Sequence, residues 1–308
     1  MAAITAKMVA DLRAKTGVGM MECKKALSEA NGDFEEATKL LREKGLSVAA
    51  KKAGRIAAEG IVDIMAEGNR AVMIEVNAET DFVAKNETFK EFVRGIEKAI
   101  LKGSPASIEA LLSLPYDDNF TVDAKLKDMI FTIGENMNIR RFVIVEGIFS
   151  TYIHGAGTTG VIVKFNTDAD TAAKPGFAEF AKNIALQIAA GSPPSYVTRD
   201  QVPAAAVEEE KQVLIAQIKN DEKNANKPDA IIEKMVTGRI GKFYQRECLV
   251  EQSYVKDDSL SVGQYIDATA KELGGAIAVD SFYLYEKGEG LEKKEDHFGD
   301  EIAEMLNK

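Results

Sequence analysis

EGIVDIMAEGNRAVMIEVN (Glu59 to Asn77) and EGIFSTYIHGAGTTGVIVKFN (Glu146 to Asn166) are two versions of one pattern. In each, two strand-like runs flank a Gly-containing turn, which predicts a β-hairpin. A helical apolar stripe follows each hairpin: Phe89, Phe92, Val93, Ile96 and Ile100 after the first, Phe177, Phe180, Ile184 and Ile188 after the second. Such spacing places the side chains on one helix face, suited to cover one face of a sheet. The ends repeat too. TVDAKLKDMIFTIGENMNIRRFVIVEG (Thr121 to Gly147) parallels SVGQYIDATAKELGGAIAVDSFYLYEKG (Ser261 to Gly288): a helix, a Gly-containing stop, then a strand. Each unit therefore reads strand, strand, helix, gap, helix, strand, and the fold class is α+β with a duplicated core.

The two gaps differ: about 20 residues in the first copy and about 70 in the second. Within the longer one, Val207 to Tyr244 carries two apolar series (Val213, Leu214, Ile218; Ile231, Ile232, Met235, Val236, Ile240) separated by the polar NDEKNANKPD. This predicts an antiparallel helical hairpin, coiled-coil-like, inserted in the second subdomain. Its apolar stripe serves first its own two helices; beyond them it can meet a second copy, in a homodimer or 2:2 assembly, or another partner. Ahead of the duplication, Val9 and Leu12, then Cys23, Ala26, Leu27 and Ala30, then Phe34, Ala37, Leu40 and Leu41 mark three short helices broken at Gly17 and at Asn31-Gly32. They predict a small three-helix bundle, with Asp33 an N-cap and the basic, Ala-rich Val48 to Gly60 as its tether. The resulting division is 1–55 bundle and linker, 56–145 first core subdomain, 146–206 and 245–285 the second, 207–244 hairpin and 286–308 C-terminal module.

Composition narrows the function. The formal charge of −10 disfavours broad nucleic-acid binding, which needs a basic surface. Charge is uneven, with eleven Lys and Arg against seven Asp and Glu through Arg55, and four against eight from Glu286 onward. Cys23 and Cys248 are far apart without a Cys/His cluster, so neither a disulfide framework nor a zinc site is expected, and a reducing compartment fits. Charges at Lys7, Asp11, Arg13 and Lys15 leave no secretory apolar segment, and no apolar run spans a bilayer. No membrane partner, metal or cofactor is expected, and the location is expected to be cytoplasmic.

Gly155-Ala-Gly157-Thr-Thr-Gly160 matches the dinucleotide fingerprint literally. That fingerprint needs a helix after it, whereas the strand-like VIVKF follows, so the glycines read as a hairpin turn and an NAD-dependent enzyme is disfavoured. Only His154 and His297 are available to a nucleophile, and neither has a supporting motif. No carboxylate pair in an apolar setting suggests acid–base work. Catalytic residues are therefore expected to be absent, and the chain is read as a non-enzyme. Phe82, in NAETDFVAKNETF (Asn77 to Phe89), is different. It can tuck beneath the following helix with Val83, or face outward. The second copy has Asn166-Thr-Asp168-Ala-Asp170 at the equivalent point, without an aromatic. The shared core thus has no need of one there, and Phe82 becomes a candidate external contact. Met20 and Met21 suit either core or an adaptable contact surface. Arg140-Arg141 is read as flanking the strand FVIVEG, and Lys51, Lys52 and Arg55 as a solvated linker.

TGVGMMECKKALSEANGD (Thr16 to Asp33), KKAGRIAAEG, EVNAETDFVAKN, IGENMNIRR, HGAG (His154 to Gly157) and the closing GEGLEK together resemble the bacterial elongation factor Ts family over essentially the full length. The resemblance implies a ubiquitin-associated (UBA-like) N-terminal bundle, two homologous α+β subdomains and a helical hairpin in the second. It implies guanine-nucleotide exchange on elongation factor Tu by binding its GDP-bound and nucleotide-free forms. Thr80, Asp81, Phe82 and Val83 match the segment that disturbs the partner's magnesium, while Arg13, Met20, Met21, Ile133 and His154 match further partner contacts. The rival reading is a UBA-like adaptor or scaffold recruiting unrelated proteins, which a pull-down lacking elongation factor Tu as dominant partner would favour.

Overall fold

Short polar residues start the helices as their chemistry dictates: an oxygen one or two bonds from the backbone satisfies a free N–H of the first turn. Thr5 accepts from Met8 N–H (3.2 Å), Asp33 from Glu35 and Glu36 N–H (2.8 and 3.0 Å), and Thr121 from Ala124 N–H (3.2 Å). The computed structural model describes residues 4–190, 192–221, 223–224 and 227–292, so the expected C-terminal module lies outside the described residues from 293 onward.

Helices α1 (Ala6–Thr16), α2 (Met20–Glu29) and α3 (Phe34–Lys52) enclose a cluster of their own, with Leu12, Cys23, Leu27 and Ala37 fully buried. The first subdomain follows as β1 (Glu59–Glu67), β2 (Arg70–Ala78), α4 (Asp81–Lys85), α5 (Glu87–Gly103), α6 (Ile108–Leu112), α7 (Val122–Ile133) and β3 (Met137–Glu146). The second comprises β4 (Ile148–His154), β5 (Thr159–Asn166), α8 (Ala169–Ala172), α9 (Phe177–Ala189), α10 (Ala204–Asn220), α11 (Asp229–Glu247), β6 (Ser253–Tyr254), β7 (Asp257–Ser261), α12 (Val262–Leu273) and β8 (Ala278–Glu286). Helices α10 and α11 pack on one another through Leu214, Ile218, Ile232 and Val236. Among the described residues no helix is long and apolar enough to cross a membrane.

The duplication is visible strand by strand. Each main sheet has three antiparallel strands, ordered β1-β2-β3 and β4-β5-β8. Both carry a bulge at the same repeat position, between Glu75 and Val76 and between Lys164 and Phe165. Strand period two then sorts the side chains. Val72, Ile74 and Val76 of β2 face the cluster shared with Phe89, Phe92 and Ile96 of α5, and Val161, Val163 and Phe165 of β5 face Phe180 and Ile184 of α9. The opposite faces meet each other: Val62, Ala71, Met73, Val145 and Ile162 form a cluster between the sheets. Two sheets back to back, each covered outside by helices, hold the core.

The glycines of the false dinucleotide motif serve this packing. His154 pairs with Thr159 across a four-residue turn, confirming a hairpin. Gly157 has φ +99°, and its carbonyl accepts from Val62 N–H (2.8 Å), stitching the turn to β1. A Cβ on Gly160 would lie 2.6 Å from Val62 Cγ1 and 2.9 Å from Met73 Sδ, so the sheets approach too closely there for any side chain.

Two readings are corrected. Helix α3 does not give way to a tether at Val48. It continues to Lys52, because Gly45 lies against Phe131 of α7 (a Cβ there would sit 3.5 Å from that ring) and tertiary packing overrides the weak helix propensity of glycine. Lys52 donates to Gly134 O and is no free linker cation. Arg140 and Arg141 lie within β3 rather than before it. Both bind the fully buried Glu75: Arg140 Nη1 reaches Oε1 at 3.0 Å, and Arg141 Nε reaches Oε2 at 2.7 Å. Asn77 Nδ2 (3.0 Å) and Gly288 N–H (2.8 Å) also donate to this carboxylate. Burial alone would raise the pKa of Glu75, but these donors outweigh it and hold the group below its ordinary value. In the second copy the equivalent pair is reversed in sign, Lys164 with Asp280 at 3.7 Å, and stands partly in solvent.

A buried carboxyl that the sequence reading did not single out sits under the first sheet. Glu97 of α5 is 1% exposed, and its Oε1 has no hydrogen-bond partner. Burial, together with the charge of nearby Asp63 on β1, pushes its pKa to about 9 against the weaker pull of Arg94. Glu97 is therefore neutral in the fold near pH 7 but ionised in the unfolded chain. The folded state is penalised progressively as pH rises from about 4.5 towards 9. Glu97→Gln removes that penalty: thermal unfolding should show little difference from the parent at pH 5 and a stabilisation approaching at most ~3 kcal/mol near pH 7.

Candidate functional site

The β2–α5 connection carries an exposed aromatic, Phe82, where the second copy has none. Thr80 caps the five-residue α4, its hydroxyl accepting from Val83 N–H at 3.4 Å, and Asn86 caps α5 by accepting from Thr88 N–H at 2.8 Å. The short helix was not foreseen, since five residues are too few to show a period. Its effect is to split neighbouring side chains. Val83 and Ala84 enter the core, whereas Phe82 is 79% exposed, more than any other exposed large apolar side chain of the described residues. Of the two placements open to Phe82 and Val83 in the sequence, each residue takes a different one.

Polar groups fix this segment from below. Thr80 donates twice to Glu135, from its N–H to Oε2 (3.0 Å) and from its hydroxyl to Oε1 (2.8 Å). One residue along on each side, Asn136 N–H donates to Glu79 Oε1 at 2.6 Å. Asp81, half-buried, pairs with Lys85 at 2.6 Å; this hydrogen bond holds its carboxyl below the ordinary aspartate range, and the charge of Lys287 adds to the effect. Asp81 thus carries its negative charge to well below neutral pH. Lys85 Nζ also stands 6.0 Å from the Phe82 ring.

Lys287 ties a second element to this end of the core. Its N–H donates to Thr158 O (2.9 Å) in the β4–β5 turn, and its ammonium pairs with Glu59 at the start of β1. The turn carries His154, exposed, with Nδ1 3.0 Å from the Tyr152 hydroxyl. Thr80 to Val83 and His154 therefore lie at the same end of the core, with Lys287 between them. Arg13, Met20 and Met21 form a separate group. They occupy the α1–α2 corner, Arg13 in the last turn of α1 and the methionines in the first turn of α2, where Met20 and Met21 are 53% and 74% exposed. The exposure resolves these methionines as surface rather than core. Ile133, the last residue of α7, is half-buried against the first core.

Glu135 is the residue that sequence reading passed over. A signal existed: it follows Ile133-Gly134, where Gly134 (φ +88°) ends α7 in the left-handed region, and a carboxylate just beyond a helix C-terminus is electrostatically unfavourable without donors of its own. Thr80 supplies them. The arrangement presents an aromatic ring and a carboxylate on a braced helix, suited to insertion into another macromolecule.

The family model described as Elongation factor TS matches residues 79–289. Elongation factor Ts of Syntrophotalea carbinolica is 45% identical over 306 residues, covering 98% of this chain and 99% of the relative. That of Trichlorobacter lovleyi is 46% identical over 309 residues, with 98% of each chain covered. That of Clostridium kluyveri is 44% identical over 310 residues, covering 98% and 99%. With likeness along the whole chain and the matched region containing the Thr80–Val83 segment, this chain belongs to the elongation factor Ts family.

Proposed function

We propose that this chain is the guanine-nucleotide exchange factor of elongation factor Tu, acting by binding rather than by bond chemistry. The observation that carries the reading is Phe82, a phenylalanine left 79% in water on a helix whose next residue is buried. Leaving such a ring exposed forgoes roughly 1.5 to 3 kcal/mol, recovered when a partner covers it. Phe82 is the wedge beside the partner's nucleotide site, Asp81 brings negative charge towards the magnesium there, and Thr80 and Val83 set their placement. Loss of the partner's magnesium removes the cation that neutralises the diphosphate, so GDP departs. Arg13, Met20 and Met21 form a second purchase on the partner's nucleotide-binding domain, with Ile133 and His154 as further contacts.

Linkage makes the mechanism reciprocal: a factor that weakens GDP binding by some ratio is itself weakened by GDP by the same ratio. GTP then displaces the factor from the empty partner. The bundle 1–55 serves as the UBA-like docking module, 56–145 and the two parts of the second subdomain as the core, and 207–244 as a hairpin that reaches a second copy or the partner. The setting is the cytoplasm of a translating cell. Mixing the protein with elongation factor Tu loaded with fluorescent GDP, in excess unlabelled GTP, tests this. Substoichiometric amounts should accelerate release manyfold; a release rate unchanged by the protein would overturn the reading.

A further inference from the structure

We infer that Glu135 and Asn136 are positioning residues that brace the Phe82 segment and join it to the end of the N-terminal bundle. The inference rests on the proposed role of Phe82 in exchange. Helix α4 has five residues, far below the length at which a helix holds itself in water. Its cap bond from Val83 N–H to Thr80 is long, at 3.4 Å. The direction in which Phe82 points therefore depends on anchors outside α4: Val83 and Ala84, buried in the core, and the carboxylate of Glu135, which accepts both the N–H and the hydroxyl of Thr80. Bonds to an ionised carboxylate are the stronger class, and two from one residue fix orientation as well as position.

The exchange is reciprocal. Glu79, just before Thr80, accepts Asn136 N–H, so each turn offers a carboxylate to the backbone of the other. Asn136 Nδ2 then donates to Arg55 O at 2.8 Å and to Ala53 O at 3.5 Å, just past the end of α3, while Lys52 reaches Gly134 O. Residues 134–136 thus hold the end of the bundle's last helix with one set of bonds and the start of α4 with another. The end of α3, on which the α1–α2 corner is carried, and the start of α4 are thereby fixed to one turn. A partner seated on the bundle then meets Phe82 at a set offset, which lowers the ordering cost of inserting it.

The test compares the full-length protein with Glu135→Ala, Glu135→Gln, Phe82→Ala and the double variant E135A/F82A. Amide hydrogen exchange on the free protein should show loss of protection at Asp81–Lys85 in E135A, with β2 and β3 unchanged. GDP release from elongation factor Tu should slow about tenfold in E135A, the scale of losing a bond to a charged group. Glu135→Gln, still able to accept from Thr80 N–H, should recover most of the rate. In the double variant E135A should add nothing to F82A, because Glu135 acts through that ring. Unchanged protection at α4, or effects of E135A and F82A that multiply, would overturn the inference. If the parent protein itself failed to speed GDP release, the exchange reading would fail instead; the hydrogen-exchange result still decides the brace.

Discussion

Phe82→Ala should slow GDP release from elongation factor Tu by about ten- to a hundredfold while complex formation persists, because burying one phenylalanine supplies roughly 1.5 to 3 kcal/mol and each 1.4 kcal/mol is a factor of ten. A thousandfold acceleration, taken as a working scale for the proposed exchange, needs about 4 kcal/mol, so Phe82 alone falls short. The proposal assigns the remainder to Asp81 and to the α1–α2 corner with Arg13, Met20 and Met21. The fold itself should be indifferent to the substitution, since the ring is 79% exposed and Val83 carries the local packing. Stopped-flow release, paired with thermal unfolding, separates the two effects: a slow release with unchanged Tm is expected. A normal release rate would remove the wedge from the account.

Glu75→Gln should have the largest effect on stability. Its carboxylate is fully buried and receives Arg140, Arg141, Asn77 and the N–H of Gly288, so it ties β2, β3 and the segment after β8 together. Arg140 also donates to Glu289 O, and Arg141 to Glu286 O (3.1 Å) and Glu289 Oε2 (3.0 Å). Removing one partner of a buried ionic cluster leaves the other charges uncompensated, at a cost of about 3 to 5 kcal/mol, which corresponds to roughly 10 °C in Tm. The pH dependence has a definite sign. The folded-state pKa of Glu75 is lowered, so its contribution is complete above its unfolded value near 4.5 and is lost as pH falls through the folded value. The gap between parent and E75Q should therefore be full at pH 7 and shrink in acid. The equivalent Lys164–Asp280 pair is 39% and 47% exposed, and Lys164→Met should change stability by less than about 1 kcal/mol.

What could be read from the sequence follows from period and repetition. The hairpins, the α5 and α9 stripes and the closing strands β3 and β8 were legible because a two-residue and a three-to-four-residue apolar period each continue long enough to count. Comparing the copies with each other did the same for Phe82: a side chain that one copy needs and the other omits is not core. The unforeseen features are those without a period. Helix α4 is a single turn set by Thr80 and Asn86. Helix α3 passes Gly45 because a phenylalanine from another element covers it. Glu75 sits in a strand buried on both faces, where its neighbours in sequence say only that the strand is apolar; the two arginines that neutralise it come from a strand about 65 residues later. Glu97 falls one place beyond Ile96 in an otherwise apolar face, a pattern that does signal a buried carboxyl once the helix is known to be covered. Glu135 could be quoted as part of a motif, but its bonding to Thr80 spans 55 residues and belongs to the tertiary fold.

Exchange by binding, as proposed, requires a preference between two states of one partner. Titrating the protein into nucleotide-free and into GDP-saturated elongation factor Tu, by calorimetry under identical salt and magnesium, measures that preference directly. Markedly tighter binding to the empty form is expected, with GDP affinity reduced in the complex by the same ratio. Indistinguishable affinities for the two forms would contradict the account.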